Sequence, residues 1–342
     1  MKTMYMNECA PSEFDFTSTV SAGLMVCAGG FEQRARGFVS RLHTARFSTE
    51  SCLLLRYGND PAQENEANYR RLRDRLRLLC STVIHTVPFD DGNSVQGGQD
   101  LQRKIHETCA DLDARCAFID ISAMTHLLAA SSVHACLSCG LRTTVVYTEA
   151  KSYFPTKEMT KQVVRAWHTK DYAIARKFLQ SAGLKAVQIL PDFSGNFRPG
   201  HQTCLVVFAG HEPNRVEGLV DDYAPGALIV LYGVSPHSHL RWRTELSKDL
   251  HADLFSQWLV RKREVSTLRI DEVLDSLETE FGTIRDQYDV AIAPQCSKMQ
   301  AIATYLFWRR HPEVQLIFTS PVNFNPARYS HGTGRTYQYE IS

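Results

Sequence analysis

The chain has 342 residues, 44% of them hydrophobic and 22% charged, a composition that supports packed cores and excludes both a stapled miniprotein and a disordered chain. Lysine and arginine together number 38 against 37 acidic residues, so no global basic field draws the chain to DNA or to an anionic membrane, and any charged site is local. Length predicts two domains, or one large fold with two cores.

The N-terminal stretch MKTMYMNECAPSEFDF carries acids where a signal peptide has its apolar segment. No run approaches the ~18 apolar residues of a membrane span, and the expectation is a cytoplasmic protein with no membrane role. Among ten cysteines, Cys27, Cys52 and Cys204 sit inside apolar runs and read as small buried hydrophobes in a reducing compartment. The pair Cys136 and Cys139 falls within the helix-like HLLAASSVHACLSCG, with His134 beside it and no second pair at zinc spacing. It reads as helix packing, and neither a metal site nor a cofactor is expected.

Taken in chain order, the elements occur twice. An apolar strand, GLMVC, leads into AGGFEQRARGFV at residues 28–39, and CLVVF leads into AGHEPNRVEGLV at residues 209–220. Ala28, Gly29, Arg34, Gly37 and Val39 match Ala209, Gly210, Arg215, Gly218 and Val220 at equal offsets. A second strand ending in Tyr-Gly follows in each half (SCLLLRYG, ALIVLYG), then a polar helical stretch and a third strand (STVIHTVPFD, EVSTLRID). After an amphipathic helix, fourth strands run into polar turns (CAFIDISAMTH, YDVAIAPQCSKMQ). The last strands, VVYTEAKSYFP and LIFTSPVNFNP, align Thr148, Tyr153 and Pro155 with Thr319, Phe324 and Pro326.

Short β-branched strands alternating with helices describe parallel sheets with crossover helices. The fold class expected is therefore α/β: two tandem Rossmann-like units with mainly parallel sheets, a pseudo-twofold internal duplication and a helical connector. The first unit is read over residues 18–155 and the second over 201–342. Between them, residues 156–200 form a basic connector whose Lys151–Arg198 neighbourhood holds nine Lys or Arg against three acids. Its charge reads either as a solvated face or as the lining of a site for an anionic or nucleic-acid ligand. The C-terminal TYQYEI reads as an edge strand of the second sheet, with Arg328, Tyr329, His331 and Arg335 bordering that sheet's carboxyl edge.

In an open parallel sheet the ligand crevice lies beyond the carboxyl ends of the strands, where helix N-termini offer free N–H groups. That rule selects two loops per half. After the first strands come Gly29, Glu32 and Arg34 in one half and Glu212 and Arg215 in the other, each loop with an arginine fork suited to phosphate or carboxylate; the alternative is that each arginine pairs with its own glutamate and ties the turn. After the fourth strands come Asp120, Ser122 and Thr125 in one half, and Gln295, Ser297 and Lys298 in the other. Helix N-capping accounts for the hydroxyls. It does not account for Lys298, a cation in a first turn where the helix dipole disfavours it. The second half is expected to hold an anion more strongly, because the first offers the carboxylate of Asp120.

The turns IDISAMT and IAPQCSKM resemble the strand and Thr-Gly-Gly-Thr-Lys turn of CRISPR-associated Rossmann-fold sensor domains, and the duplication resembles the fused pair of such domains in SAVED proteins. The resemblance covers both halves in architecture and a few residues in motif. Cys296-Ser297-Lys298 keeps the Ser/Thr-Lys end without the double glycine, and Ser122 to Thr125 lacks the lysine. It implies a nucleotide-like anionic ligand held between two Rossmann-like units, and a protein partner in a multi-component defence or signalling system. Two other readings stand beside it: a phosphoesterase or nucleotide-processing enzyme using the same crevice, and a protein-interaction scaffold with no small ligand. Gly-x-x-x-x-Gly-Lys-Ser/Thr, Gly-x-Gly-x-x-Gly after the first strand, His-Glu-x-x-His and Gly-x-Ser-x-Gly are all absent.

Overall fold

A computed structural model describes residues 11–42, 46–58, 64–90, 93–112, 114–256 and 260–341; the first ten residues, weighed above for a leader, lie outside the described residues. The chain divides into two compact units, one of Met1–Ser152 with Ser330–Ser342 and one of Tyr153–Tyr329.

The first unit runs β1 (Ser12–Glu13), β2 (Thr19–Ala28), α1 (Gly37–Arg41), β3 (Arg46–Tyr57), α2 (Glu64–Leu76), β4 (Cys80–Phe89), α3 (Ser94–Asp111), β5 (Cys116–Asp120), α4 (His126–Ser138) and β6 (Arg142–Thr148), ending in β7 (Ser152–Tyr153). The second continues with α5 (Thr160–His168), α6 (Tyr172–Ala175), β8 (Ser181–Gln188), β9 (Thr203–Ala209), α7 (Pro213–Tyr223), β10 (Ala227–Val234), α8 (Trp242–Leu250), α9 (Ala252–Ser256), β11 (Val260–Ser266), α10 (Ile270–Ile284), β12 (Asp289–Pro294), α11 (Lys298–Arg310), β13 (Gln315–Leu316) and β14 (Phe318–Phe324). The chain then returns to the first unit as β15 (Ser330–His331) and β16 (Thr336–Ile341).

Each unit is built on a parallel sheet. The first has the order β1-β16-β6-β5-β2-β3-β4 and the second β11-β10-β9-β12-β13. Numbered from the first parallel strand of each unit, both sheets read 3-2-1-4-5, the doubly wound order in which the winding reverses between strands one and four. The strands that lead into this reversal are apolar on both faces, as a sheet covered by helices requires. Met25, Val26 and Cys27 are buried in β2, as are Leu205, Val206 and Val207 in β9. Separate cores form around Phe38, Leu54 and Phe118 in the first unit and around Leu219, Val230 and Phe255 in the second.

Four expectations are corrected. The C-terminal strand belongs to the first sheet: β16 pairs antiparallel with β6, Thr336 opposite Thr148 and Ile341 opposite Thr143. Its alternating TYQYEI buries Tyr337, Tyr339 and Ile341. The loop before it consequently borders the first unit's crevice. Residues 156–200 are no free connector, since β8 forms a ribbon with β14, and α5 and α6 share a core with α8 through Val163, Trp167 and Leu246. LIFTSPVNFNP is two strands, β13 in the sheet and β14 in that ribbon. The third strand of the second unit is Val260–Ser266 rather than EVSTLRID. Its exposed Arg261, Lys262 and Arg263 protect a sheet edge, and that function erases the apolar pattern by which strands are found.

Candidate functional site

The reversal of winding puts the ends of β2 and β5 side by side in the first unit, and the ends of β9 and β12 side by side in the second. Those are the four loops that carry the sequence-derived candidates.

In the first unit most of these polar groups bond one another. Arg34 donates from Nε and Nη2 to the Glu32 carboxylate at 3.0 and 2.8 Å, and from Nη1 to the Tyr147 hydroxyl at 3.0 Å. Both members of the pair are buried, at 6% and 8% exposure, and Glu32 also accepts from the Ser330 hydroxyl. Asp120, 2% exposed, accepts from the backbone N–H and the hydroxyl of Ser122. Ser122 Oγ accepts in turn from the Thr148 N–H at 2.8 Å, which ties the end of β5 to the end of β6. Ser122 is thus a bridge between strands and caps no helix. Thr125 is the N-cap of α4, accepting from the Leu128 N–H. Gly29 answers to packing: a Cβ there would lie 2.8 Å from Tyr69 of α2, so its missing side chain admits a helix.

The second unit uses its corresponding loops differently. Glu212 turns away from Arg215 and accepts from the backbone N–H groups of Gln180 and Ser181 and from the Ser181 hydroxyl. Burial pushes its carboxyl up to about 7 against the pull of those donors and of Arg215. Arg215 donates from Nη2 to the Thr319 carbonyl at 3.0 Å and to its hydroxyl, and its buried Nε has no hydrogen-bond partner among the described residues. Ser297 caps α11 in a reciprocal box with Gln300 and donates to the Thr267 carbonyl. Lys298 is the first residue of that helix, half-buried, and no acid stands in the first turn.

Gln295, between β12 and the cap, is 7% exposed, and both its amide oxygen and its amide nitrogen lack a hydrogen-bond partner among the described residues. Buried amides are nearly always bonded, and leaving one unbonded costs roughly 1 to 3 kcal/mol per group. The neighbouring Gln300 shows the ordinary outcome, donating to the Ser266 carbonyl at 3.1 Å and accepting from the Ser297 N–H. Gly210 lets the loops meet, because a Cβ there would lie 3.0 Å from the Gln295 carbonyl oxygen.

Two residues that sequence reasoning passed over complete this edge. His211 Nδ1 accepts from Arg243 Nη2 and its Nε2 donates to the Arg243 carbonyl, each at 2.9 Å. Burial and the adjacent guanidinium push the imidazole down to about 3, so it is neutral and fixed in one tautomer. Arg243 lies over the rings of Tyr153 and Trp242, 5.3 Å from each centroid. The one signal in the sequence was His211 directly after the Gly of a crevice loop; nothing local marked Arg243. Arg215 reaches Thr319, whereas Arg34 reaches Tyr147, one residue before Thr148. Among the described residues no three of His, Cys, Asp or Glu gather as metal ligands, and no helix is long and apolar enough to cross a membrane.

No protein-family model matches the chain, and no curated protein matches it. Among solved structures it is similar to a Type III CRISPR defence DNA nuclease activated by cyclic oligoadenylate, at 10% identity and a TM-score of 0.47, over 84% of this chain and 64% of that one. The chain thus spans less than two thirds of that nuclease. It is also similar to the CobK precorrin-6A reductase, at 12% identity and a TM-score of 0.23 over 90% and 89% of the two chains. A UDP-GlcNAc 2-epimerase from Neisseria meningitidis is similar at 11% identity and 0.24 over 80% and 77%.

Proposed function

We propose that this chain is a sensor or scaffold that takes a nucleotide-like anion at the carboxyl edge of the second unit's sheet, within a prokaryotic defence or signalling system. The observation that carries the site is the buried Gln295 amide, unbonded at the mouth of α11, where a helix N-terminus favours anions and Lys298 adds a charge. An external ligand that bonds the amide and brings an anion toward Arg215 and Lys298 relieves what the protein leaves unsatisfied. The defence setting rests on the resemblance of the two polar turns to CRISPR-associated sensor domains, and the proposed site lies wholly within the second unit.

One observation favours the enzyme reading: Glu212, held near 7 in a crevice loop, has the proton affinity of a general base at neutral pH. Its three donors from Gln180 and Ser181 commit it to fastening β8, and the binding reading is the stronger. Incubating the intact chain with cyclic and linear nucleotides, with and without divalent metal, followed by chromatography, separates the two. Thermal stabilisation without turnover is the expected result. Turnover that is lost in Glu212→Gln would replace the sensor with a phosphoesterase, and a panel that neither stabilises nor reacts would leave a protein-interaction scaffold.

A further inference from the structure

Helix α2 and the residue that follows it carry five arginines and one aspartate between residues 70 and 77. Its inner face, Tyr69, Leu72 and Leu76, is buried in the first unit's core, so the charges point outward. Cations in the last turns of a helix complement its dipole, which accounts for their presence but not for their pairing. Arg70 is held by Glu66 at 2.8 Å, and Arg73 and Arg77 lie 3.7 and 3.6 Å from Asp74. Arg71 and Arg75, one turn apart and exposed, pair with no carboxylate among the described residues. Like charges at that spacing destabilise a helix.

A third cation joins them from another element. Arg36 ends the 3-10 turn Gln33–Arg36, which packs against α2. Its Nε is buried without a hydrogen-bond partner, and it too pairs with no carboxylate among the described residues. Burial, and then the charge of Arg71, lower the proton affinity of Arg36 below that of an ordinary guanidinium. Arg36 beside Arg71, with Arg75 one turn further along the helix and none of the three paired with a carboxylate among the described residues, is an arrangement that an external anion stabilises.

We infer that Arg36, Arg71 and Arg75 form a surface for the phosphate backbone of a nucleic-acid strand. Arg71 and Arg75 stand about 6 Å apart along the helix axis, a row suited to an anion that repeats along a line, and each fork can take two phosphate oxygens. The helix's one aromatic, Tyr69, is buried beneath the guanidiniums of Arg56 and Arg73 at 5.3 and 5.9 Å. No ring on α2 is left for base stacking, so the contact is to backbone and indifferent to sequence.

The test titrates the intact chain with a labelled mixed-sequence oligonucleotide of about 20 residues, single-stranded and duplex, over a range of salt. The expected result is binding that falls steeply with salt, weakened about tenfold at low salt in Arg71→Ala/Arg75→Ala, with the logarithmic salt slope for duplex smaller by about 2. Arg70→Ala, which removes a paired charge, should change affinity far less. Circular dichroism confirms that these exposed positions leave the fold intact. Absence of binding, an unchanged salt slope in the double variant, or equal displacement by polyglutamate of matched charge would overturn the inference, the last in favour of an acidic protein partner. Inorganic phosphate competing as well as the oligonucleotide at equal phosphate concentration would also overturn it, in favour of a single-anion site.

Discussion

The two crevices share strand order and loop positions, yet one is closed on itself and the other is not. In the first unit Arg34 is locked to Glu32, Tyr147 completes its fork, and Ser122 joins Asp120 to the end of β6. In the second, Arg215 bonds Thr319, Glu212 is turned to β8, and the buried Gln295 amide has no hydrogen-bond partner among the described residues. The difference shows how similar turns diverge in use. A buried pair bonded to each other and to a neighbouring hydroxyl fixes a fold, whereas a helix mouth with unmatched polar groups holds free energy that a ligand can release.

The sharpest way to break this comparison is to remove each arginine. Arg34→Met strands the buried Glu32 carboxylate and should cost about 3 to 5 kcal/mol in chemical denaturation. Arg215→Met removes hydrogen bonds to a carbonyl and a hydroxyl and should cost about 1 to 2 kcal/mol. Equal losses would mean that the two turns are equivalent after all.

Next in size is the response of the second unit to acid. His251, stacked on Phe255 with Nδ1 donating to the Ser247 carbonyl, is pushed by burial down to about 4, and His211 down to about 3. Both are neutral in the folded state, so the unfolded chain binds protons first, and stability is lost as pH falls below about 6.5. Glu212, raised to about 7, acts in the opposite sense and gains stability as pH falls toward 4.5. Two groups outweigh one, and the net trend is a loss. His251→Leu should recover about 3 kcal/mol of it at pH 4, read from denaturation midpoints across pH; an unchanged pH profile would show that the imidazole is charged in the folded protein.

The third prediction concerns binding. If an anion sits at α11, Lys298→Ala loses a charge-assisted bond of roughly 1.5 to 3 kcal/mol, a weakening of about tenfold or more. Lys170→Ala, on the outer segment between α5 and α6, should change little. Calorimetric titration with the tightest member of a nucleotide panel makes the measurement, and equal loss from both variants would move the site away from α11.

Much of this architecture was legible because parallel strands and their turns leave strong local marks. GLMVC and CLVVF are buried on both faces and announce themselves by composition, and Ser297 and Thr125 sit where caps belong. The long-range assignments were not legible. Nothing in TYQYEI says which of two sheets it joins, since Tyr339 and Ile341 would bury equally well against either. SAGLKAVQ hides as a strand because Gly183 takes a positive φ and the pairing with β14 shifts register at Ser320/Pro321. Within the candidate site, the residue types at the loops were readable and their partners were not. Glu32 and Glu212 occupy corresponding loops, and only packing decides that one bonds its arginine and the other the start of β8.

The most direct measurement of the central claim is the paired effect of Gln295→Leu on stability and on binding. Replacing two buried, unbonded polar atoms by a side chain of similar size should leave the melting temperature unchanged or raise it, by the equivalent of about 1 kcal/mol, while abolishing calorimetric binding of the nucleotide that the unaltered chain takes. A Gln295→Leu protein that melts well below the unaltered chain, or that binds the same nucleotide with the same affinity, would contradict the account.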